Sequence, residues 1–157
     1  MSDIKKTARA VIFEDEKIIL IRRRKYLNGN LVKEYYVIPG GHLDESETFE
    51  ETVIREVKEE LGIDVKIKKE LIHSFNNDLN IDEKFFECEY ISGKIGTGTG
   101  EEWTNPNIEK YGSYEIVKYK INELENINLL PSEIKKIIIK EYKFKKKYWH
   151  LKNNWYN

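Results

Sequence analysis

The sequence predicts a mixed α+β domain, a β-sheet flanked by helices. Short apolar-rich runs bounded by turn residues recur between Thr7 and Tyr119, as strands do. A capped amphipathic helix is written into the stretch from Phe49 to Leu61. A second run of helical spacing follows Leu130-Pro131-Ser132. No repeat or low-complexity linker divides the chain, and 157 residues suffice for a real core, so residues 1–157 are expected to form one domain.

Thr7 to Phe13 and Lys17 to Ile21 flank Glu14-Asp15-Glu16 and read as a β-hairpin. Arg22-Arg23-Arg24 extends the second strand or begins the next loop, and Tyr26 to Leu31, with Asn28-Gly29-Asn30, reads as a turn-rich loop. Glu34 to Ile38 is a third strand, stopped by Pro39-Gly40-Gly41. Thr48 is a good helix cap, Glu51 completes a capping box, and Gly62 suits the left-handed residue that ends a helix. Ile63 to Ile72 alternates apolar and charged residues as a half-buried strand should, and Phe85 to Ile91 is a further strand. Ser92 to Gly112 reads as a long Gly/Thr/Asn/Pro loop, a length more often functional than inert. Tyr114 to Tyr119 alternates again, and Ile134, Ile137, Ile138 and Tyr142 mark the last helix, capped near Ser132.

Composition narrows the class. The chain is 39% hydrophobic and 35% charged, with 27 basic against 28 acidic residues. A net charge of -1 gives no general reason to expect nucleic acid or a membrane as partner. A lone cysteine, Cys88, rules out an internal disulfide and fits a cytoplasmic setting. No signal-like or membrane-spanning apolar run is present.

The most informative stretch runs from Gly41 to Ile63: Gly41, five residues, Glu47, seven residues, Arg55-Glu56, then Val57-Lys58-Glu59-Glu60-Leu61-Gly62-Ile63. At about 100° per residue, Val53, Ile54, Val57 and Leu61 cover one arc and form the core face. Glu56, Glu59 and Glu60, at i, i+3 and i+4, share the adjoining arc. Like charges so spaced destabilise a bare helix, which implies a missing cation. Mg²⁺ or Mn²⁺ prefers such hard oxygen ligands, completed by water and phosphate oxygens.

This pattern resembles the Nudix (MutT-type) signature, with every defining position filled. The resemblance is firm over about Arg22 to Asp64 and implies a Nudix-like α/β/α sandwich. It implies a hydrolase that cleaves the diphosphate bond of a small nucleotide, either a nucleoside triphosphate or a nucleoside diphosphate linked to another moiety. It suggests Glu56, Glu59 and Glu60 as metal ligands with the Gly40 carbonyl. Gly41 and a Glu47–Arg55 pair would serve as structural supports. Water would attack phosphorus, with Glu56 as the first candidate for its base. In some relatives the base comes from a distant loop, where Glu101 and Glu102 are the candidates here; they also read as exposed loop acids.

Substrate contacts are less specified. Arg22, Arg23 and Arg24 read either as phosphate or base contacts or as a charged strand end. On an extended segment Arg23 faces opposite to the other two. Tyr36 could stack on a base, although strand aromatics are usually core. The Gly96-Thr-Gly98-Thr-Gly100 run lacks the strand-to-helix setting of a dinucleotide fingerprint. The tail from Tyr142 mixes Lys143, Lys145, Lys146, Lys147 and Lys152 with Trp149 and Trp155. It reads as the solvated face of a terminal helix, with its aromatics on the body or on a second subunit of a homodimer. The alternatives are an RNA 5′ pyrophosphohydrolase of the same fold, which would use that tail, and a nucleotide-binding module without catalysis.

Overall fold

The computed structural model describes residues 3–104 and 106–154, the side chains of 152–154 excepted, so Trp155 and the Lys152 side chain lie outside the described residues. The strands are β1 (Lys5–Glu14), β2 (Lys17–Leu27), β3 (Asn30–Val37), β4 (Gly40–His42), β5 (Ile63–Asn76), β6 (Ile81–Gly93), β7 (Ser113–Lys120) and β8 (Leu129–Leu130). The helices are α1 (Phe49–Leu61), two short ones, α2 (Glu101–Thr104) and α3 (Ile108–Tyr111), and α4 (Glu133–Asn154); a 3₁₀ turn spans Ile121–Asn126.

β1 and β2 form the expected hairpin only near its tip, where Phe13 faces Ile18 and Glu14 faces Lys17. Below the tip the strands separate. β1 runs parallel to β6 from Lys5 opposite Ile81 to Ile12 opposite Cys88, and takes β4 on its other edge. β2 is flanked by β3 and β7. Buried backbone needs a partner on both edges, and these pairings supply it. The result is a mixed eight-stranded sheet with the spine β5-β6-β1-β2-β3-β8. Parallel pairing occurs at β1/β6 and β3/β8.

Local turn chemistry corrects the expected loop at Tyr26 to Leu31. β2 continues to Leu27 and β3 begins at Asn30, so Asn28-Gly29 alone makes the connection. Asn28 has φ 51° and Gly29 φ 79°, and two positive φ values define the tight hairpin turn that Asn-Gly favours. Tyr26 pairs with Leu31 and Leu27 with Asn30 across the turn, and this largely exposed strand end carries no apolar alternation to mark it as strand. The expected loop from Ser92 to Gly112 also holds two short helices, α2 and α3.

Alternation along the central strands sends side chains to two cores. Ala8, Ala10, Ile12, Ile19 and Ile21 pack with Val53, Val57 and Leu61 of α1. Val11, Ile18, Leu20 and Ile38 pack on the other side with Ile134 and Ile138 of α4. Helices therefore cover both faces of the sheet, which is the expected sandwich. One core expectation fails: Ile54 is 42% exposed. It sits at the rim of the helix's apolar arc, and the buried place on the opposite side of Val53 belongs to Glu60.

Helix α4 carries Tyr142 onto Phe13, with ring centroids 6.5 Å apart. Beyond that contact Lys145 still reaches the buried Glu87 at 2.7 Å, while Phe144, Tyr148, Trp149 and Leu151 are all exposed. The expected packing of the tail aromatics on the body is thus absent for Trp149. Among the described residues no helix is long and apolar enough to cross a membrane.

The turn into β4 allows no side chain at Gly40. Its φ is +151°, and a Cβ there would stand 2.2 Å from the backbone oxygen of Ala8. Gly40→Ala is expected to cost about 1–3 kcal/mol, since the strand carbonyl cannot yield cheaply. A urea unfolding midpoint equal to that of the unaltered protein would contradict this.

Candidate active site

Helix α1 is fixed at both ends before it presents any chemistry. The Thr48 hydroxyl accepts from the Glu51 amide (3.1 Å), and Gly62 closes the helix in the left-handed region with its N–H on Lys58 O. The box is half formed: the Thr48 hydroxyl also bonds to the Glu51 carboxylate (3.1 Å). With the helix so held, Arg55, Glu56, Glu59 and Glu60 emerge beside the β3–β4 turn.

Arg55 is the hub. Its Nε donates to Glu47 Oε2 at 2.8 Å and its Nη2 to Glu47 Oε1 at 2.9 Å. Nη1 reaches Glu56 and Glu59, each at 3.0 Å, and Nη2 also reaches the His42 carbonyl at 3.1 Å. The two-pronged hydrogen bond from Arg55 holds the Glu47 carboxyl at about 2, helped by the Asp44 amide. The pair ties the signature loop to the helix, though both side chains remain partly solvated.

Glu60 is buried at 8% exposure and accepts from the Gly40 amide at 2.9 Å. Burial raises its pKa to about 8, and the charges of Glu102 and Glu56 add to the rise against the opposing Gly40 N–H and Arg9. Glu56 is raised by burial too, with Arg55 opposing and Glu59 and Glu102 reinforcing. Arg9 was not anticipated from sequence. It donates to Glu83 (2.8 Å) and to Ile38 O (2.8 Å), so it braces the chain just ahead of Pro39-Gly40-Gly41.

The Gly-Thr repeat has a structural purpose. A Cβ at Gly98 would lie 2.4 Å from Glu59 O, so only glycine lets this segment lie against the end of α1. Gly96 N–H donates to Leu61 O (3.0 Å) and Gly100 N–H to Glu59 O (2.8 Å). Trp103 Nε1 then donates to Glu60 O at 2.7 Å. This anchoring brings Glu102 into the field of Glu56 and Glu60, while Glu101 stays exposed.

Beyond Glu102 opens a cleft of about 670 Å³, with Tyr111, Tyr114, Ile108 and Asn107 in its walls. Arg23 backs it: its guanidinium lies 3.6 Å from the Tyr114 ring centre and donates to Tyr111 O at 2.6 Å. Tyr35 lies on the same side, 5.7 Å from that guanidinium. The other expected substrate contacts lie elsewhere. Arg22 pairs with Glu115, and Arg24 with Glu34. Tyr36 is buried in the α4-side core against Tyr119. Strand alternation puts these three on the opposite face from Arg23. The wall residues Tyr111 and Tyr114 come from the end of α3 and from strand β7, whose positions only the fold supplies, whereas Trp103 stands three residues after Gly100 at the end of the glycine run.

Whether the carboxylates suit a cation can be judged from their surroundings. Among the described residues no three acidic, His or Cys side chains already converge as ligands. Arg55 draws Glu56 and Glu59 one way and Gly40 N–H draws Glu60 another. The donor set is nonetheless made of hard oxygens that share one electrostatic field. Gly41 leaves room for the Glu56 carboxyl, which a Cβ there would meet at 2.5 Å. Burial is the larger cause of the raised pKa values of Glu56 and Glu60, and the like charges of Glu59 on Glu56 and of Glu56 on Glu60 are ones that a cation between them would offset. The residues fit a divalent cation.

Comparison with known proteins agrees with this arrangement. The model of the NUDIX domain matches residues 4–133, and the chain belongs to that family. An ADP-ribose pyrophosphatase of Methanocaldococcus jannaschii is 43% identical over 58 residues, 37% of this chain and 32% of that protein. The match thus spans about a third of that relative's length. The crystal structure of an ADP-ribose pyrophosphatase from Streptococcus suis superposes with a TM-score of 0.62 at 19% identity, covering 88% of this chain and 91% of the other. A UDP-X diphosphatase structure gives 0.65 at 20% identity, over 91% and 64%. At these identities the two structures speak for the fold.

Glu60 makes stability depend on pH in a defined direction. A carboxyl with a folded pKa of about 8, against an ordinary 4.5, holds a proton in the folded chain that the unfolded chain has lost. Without divalent cation, stability should therefore fall as pH rises from about 4.5 to about 8. Glu60→Gln should flatten that slope in urea titrations across the window, and an unchanged slope would refute it.

Proposed function

We propose that this protein is a pyrophosphohydrolase that requires Mg²⁺ or Mn²⁺ and cleaves the diphosphate bond of a small nucleotide. The observation that carries the reading is the junction at Glu102, where the acidic face of α1 meets an aromatic-walled cleft. Glu56, Glu59 and Glu60 would hold the cation, with the Gly40 carbonyl. When bound, the cation neutralises diphosphate oxygens and stabilises charge developing on them.

The chain's own residues then divide the work. Gly41 gives the Glu56 carboxyl its space, and the Glu47–Arg55 pair keeps the acidic side chains from splaying. Glu102 accepts a proton at its carboxylate from the attacking water. It suits that role better than Glu56, because Arg55 already bonds Glu56 and because Glu102 lines the cleft. Glu101 lines the cleft's solvent rim and is not assigned to the chemistry. Arg23 backs the wall on which a base or sugar ring would rest between Tyr111 and Tyr114.

A nucleoside diphosphate linked to a second moiety fits best as substrate. The cleft walls carry Glu101, Glu102 and Glu109, which repel a further phosphate and offer acceptors to hydroxyl or amino groups. The names of the similar proteins, ADP-ribose pyrophosphatase and UDP-X diphosphatase, point the same way. The RNA 5′ pyrophosphohydrolase reading loses its support, because α4 and its basic tail lie across the sheet from α1. A purely binding module has no use for the full set of carboxylates.

Turnover of ADP-ribose, UDP-sugars and nucleoside triphosphates with Mg²⁺ tests the reading. Glu102→Gln should lower kcat by about 10²–10⁴-fold with Mn²⁺ affinity retained. Glu56→Gln should lose activity and metal affinity together, and Glu101→Gln should change little. No metal-dependent turnover of any diphosphate in the panel would sink the proposal, and full activity in Glu102→Gln would return the base to Glu56.

A further inference from the structure

The basic, aromatic end of α4 has no role in the site described above, and the structure sets it over a second concave surface. Helix α4 crosses the back of the sheet and leaves it over edge strand β5. Between them lies a cleft of about 490 Å³. Phe144, Lys145, Tyr148 and Trp149 line it from the helix and Lys68 and Lys69 from β5, with Lys69 paired to Glu141 of the helix at the cleft wall. Trp149 and Tyr148 are each 62% exposed, which is costly for rings with nothing to cover them.

The floor of this cleft is polar. Glu87 has a side chain only 3% exposed. Its Oε2 is held by Lys145 at 2.7 Å and by Lys68 at 3.6 Å, while its Oε1 has no hydrogen-bond partner among the described residues. A buried carboxylate oxygen without a donor is expensive and marks a place where a donor belongs. Lys68, the looser of the two ammonium groups, is the one free to swing aside.

Charge selects the occupant. Beyond Glu141, which Lys69 neutralises, the chain to Asn154 has Lys143, Lys145, Lys146, Lys147 and Lys152 and no further acidic residue, in a protein of net charge -1. Lys143, Lys146 and Lys147 continue the positive surface around the helix, beyond the cleft itself. The basic surface thus spans two neighbouring hollows of the helix. These aromatics line a hollow beside β5, which a flat anionic membrane surface would not enter.

We propose that the α4–β5 cleft binds single-stranded nucleic acid, one base stacking on Trp149 and Tyr148 with its backbone phosphates on the lysines. An amino group on the edge of that base supplies the donor that Glu87 Oε1 lacks. Stacking platforms interleaved with lysines bind single strands in this way. The site is independent of the hydrolytic one, because the sheet separates them.

Fluorescence anisotropy of a labelled oligocytidylate, titrated with the full chain, tests this. Saturable binding is expected that weakens with salt, log K falling by about 0.7 per log unit for each phosphate neutralised. Trp149→Ala should weaken binding by about 5- to 150-fold, the loss of one base stack. Trp149→Phe should restore most of it, and Lys68→Gln with Lys69→Gln should reduce the salt slope. Nucleotide hydrolysis should be unchanged in all of these, so failure of the hydrolytic reading leaves the test intact. Absence of binding at low salt overturns the proposal, as does binding indifferent to Trp149→Ala. Co-sedimentation with phosphatidylglycerol vesicles but no oligonucleotide binding would assign the surface to lipid instead. A dimer in sedimentation velocity that Trp149→Ala dissolves would assign it to a second copy; either result overturns the nucleic-acid reading.

Discussion

One guanidinium governs the geometry of the acidic helix face. Arg55 holds Glu47, Glu56 and Glu59 at once, and it does so from the helix that carries two of them. Without that positive charge, the Glu56 and Glu59 carboxylates, three residues apart on one face, would repel and rotate apart. The same interaction ties the loop ahead of α1 to the helix, so the position of the β3–β4 turn depends on it too. Arg55 stabilises the acidic face through Glu56 and Glu59, while Glu60 takes its hydrogen bond from Gly40 N–H instead.

The remaining order in the site comes from contacts at the two ends of that face. At one end Arg9 holds the Ile38 carbonyl and Gly40 presents its N–H to Glu60. At the other, the glycine segment lies on the last turn of α1 and carries Trp103 to the Glu60 carbonyl. Glu60 is thereby bonded through its carboxylate to one element and through its backbone to another. A loop anchored this firmly can deliver Glu102 to a defined place, which a freely moving loop cannot do. The cleft walls beyond it are less constrained, with Ile108 and Tyr111 exposed.

The two faces of the sheet do different things because the strands alternate. Arg23 reaches the cleft, while its neighbours Arg22 and Arg24 turn to the other face and find Glu115 and Glu34. In the same way Tyr35 faces Arg23 and Tyr36 enters the core. The period of two was legible in sequence, and with it the opposition of Arg23 to its neighbours. Which face carried the site was not legible, since α1 and α4 present similar apolar stripes.

The sequence by itself determined the helix α1, its caps at Thr48 and Gly62, the acidic face and the family pattern. These are local properties, set by hydrogen bonds and spacing within a few turns. It also held the Asn28-Gly29 turn, in letters that a broader loop reading passed over. Tertiary structure decided what depends on residues distant in the chain. It exposed Ile54 and buried Glu60 beside Val53, because sheet position, not helix period, sets where solvent begins. It separated Glu102 from Glu101, set Arg23 behind the cleft and turned Arg22, Arg24 and Tyr36 to the other face, and left Trp149 uncovered above β5. Each of those outcomes turns on which surfaces meet, and no spacing within one segment encodes that.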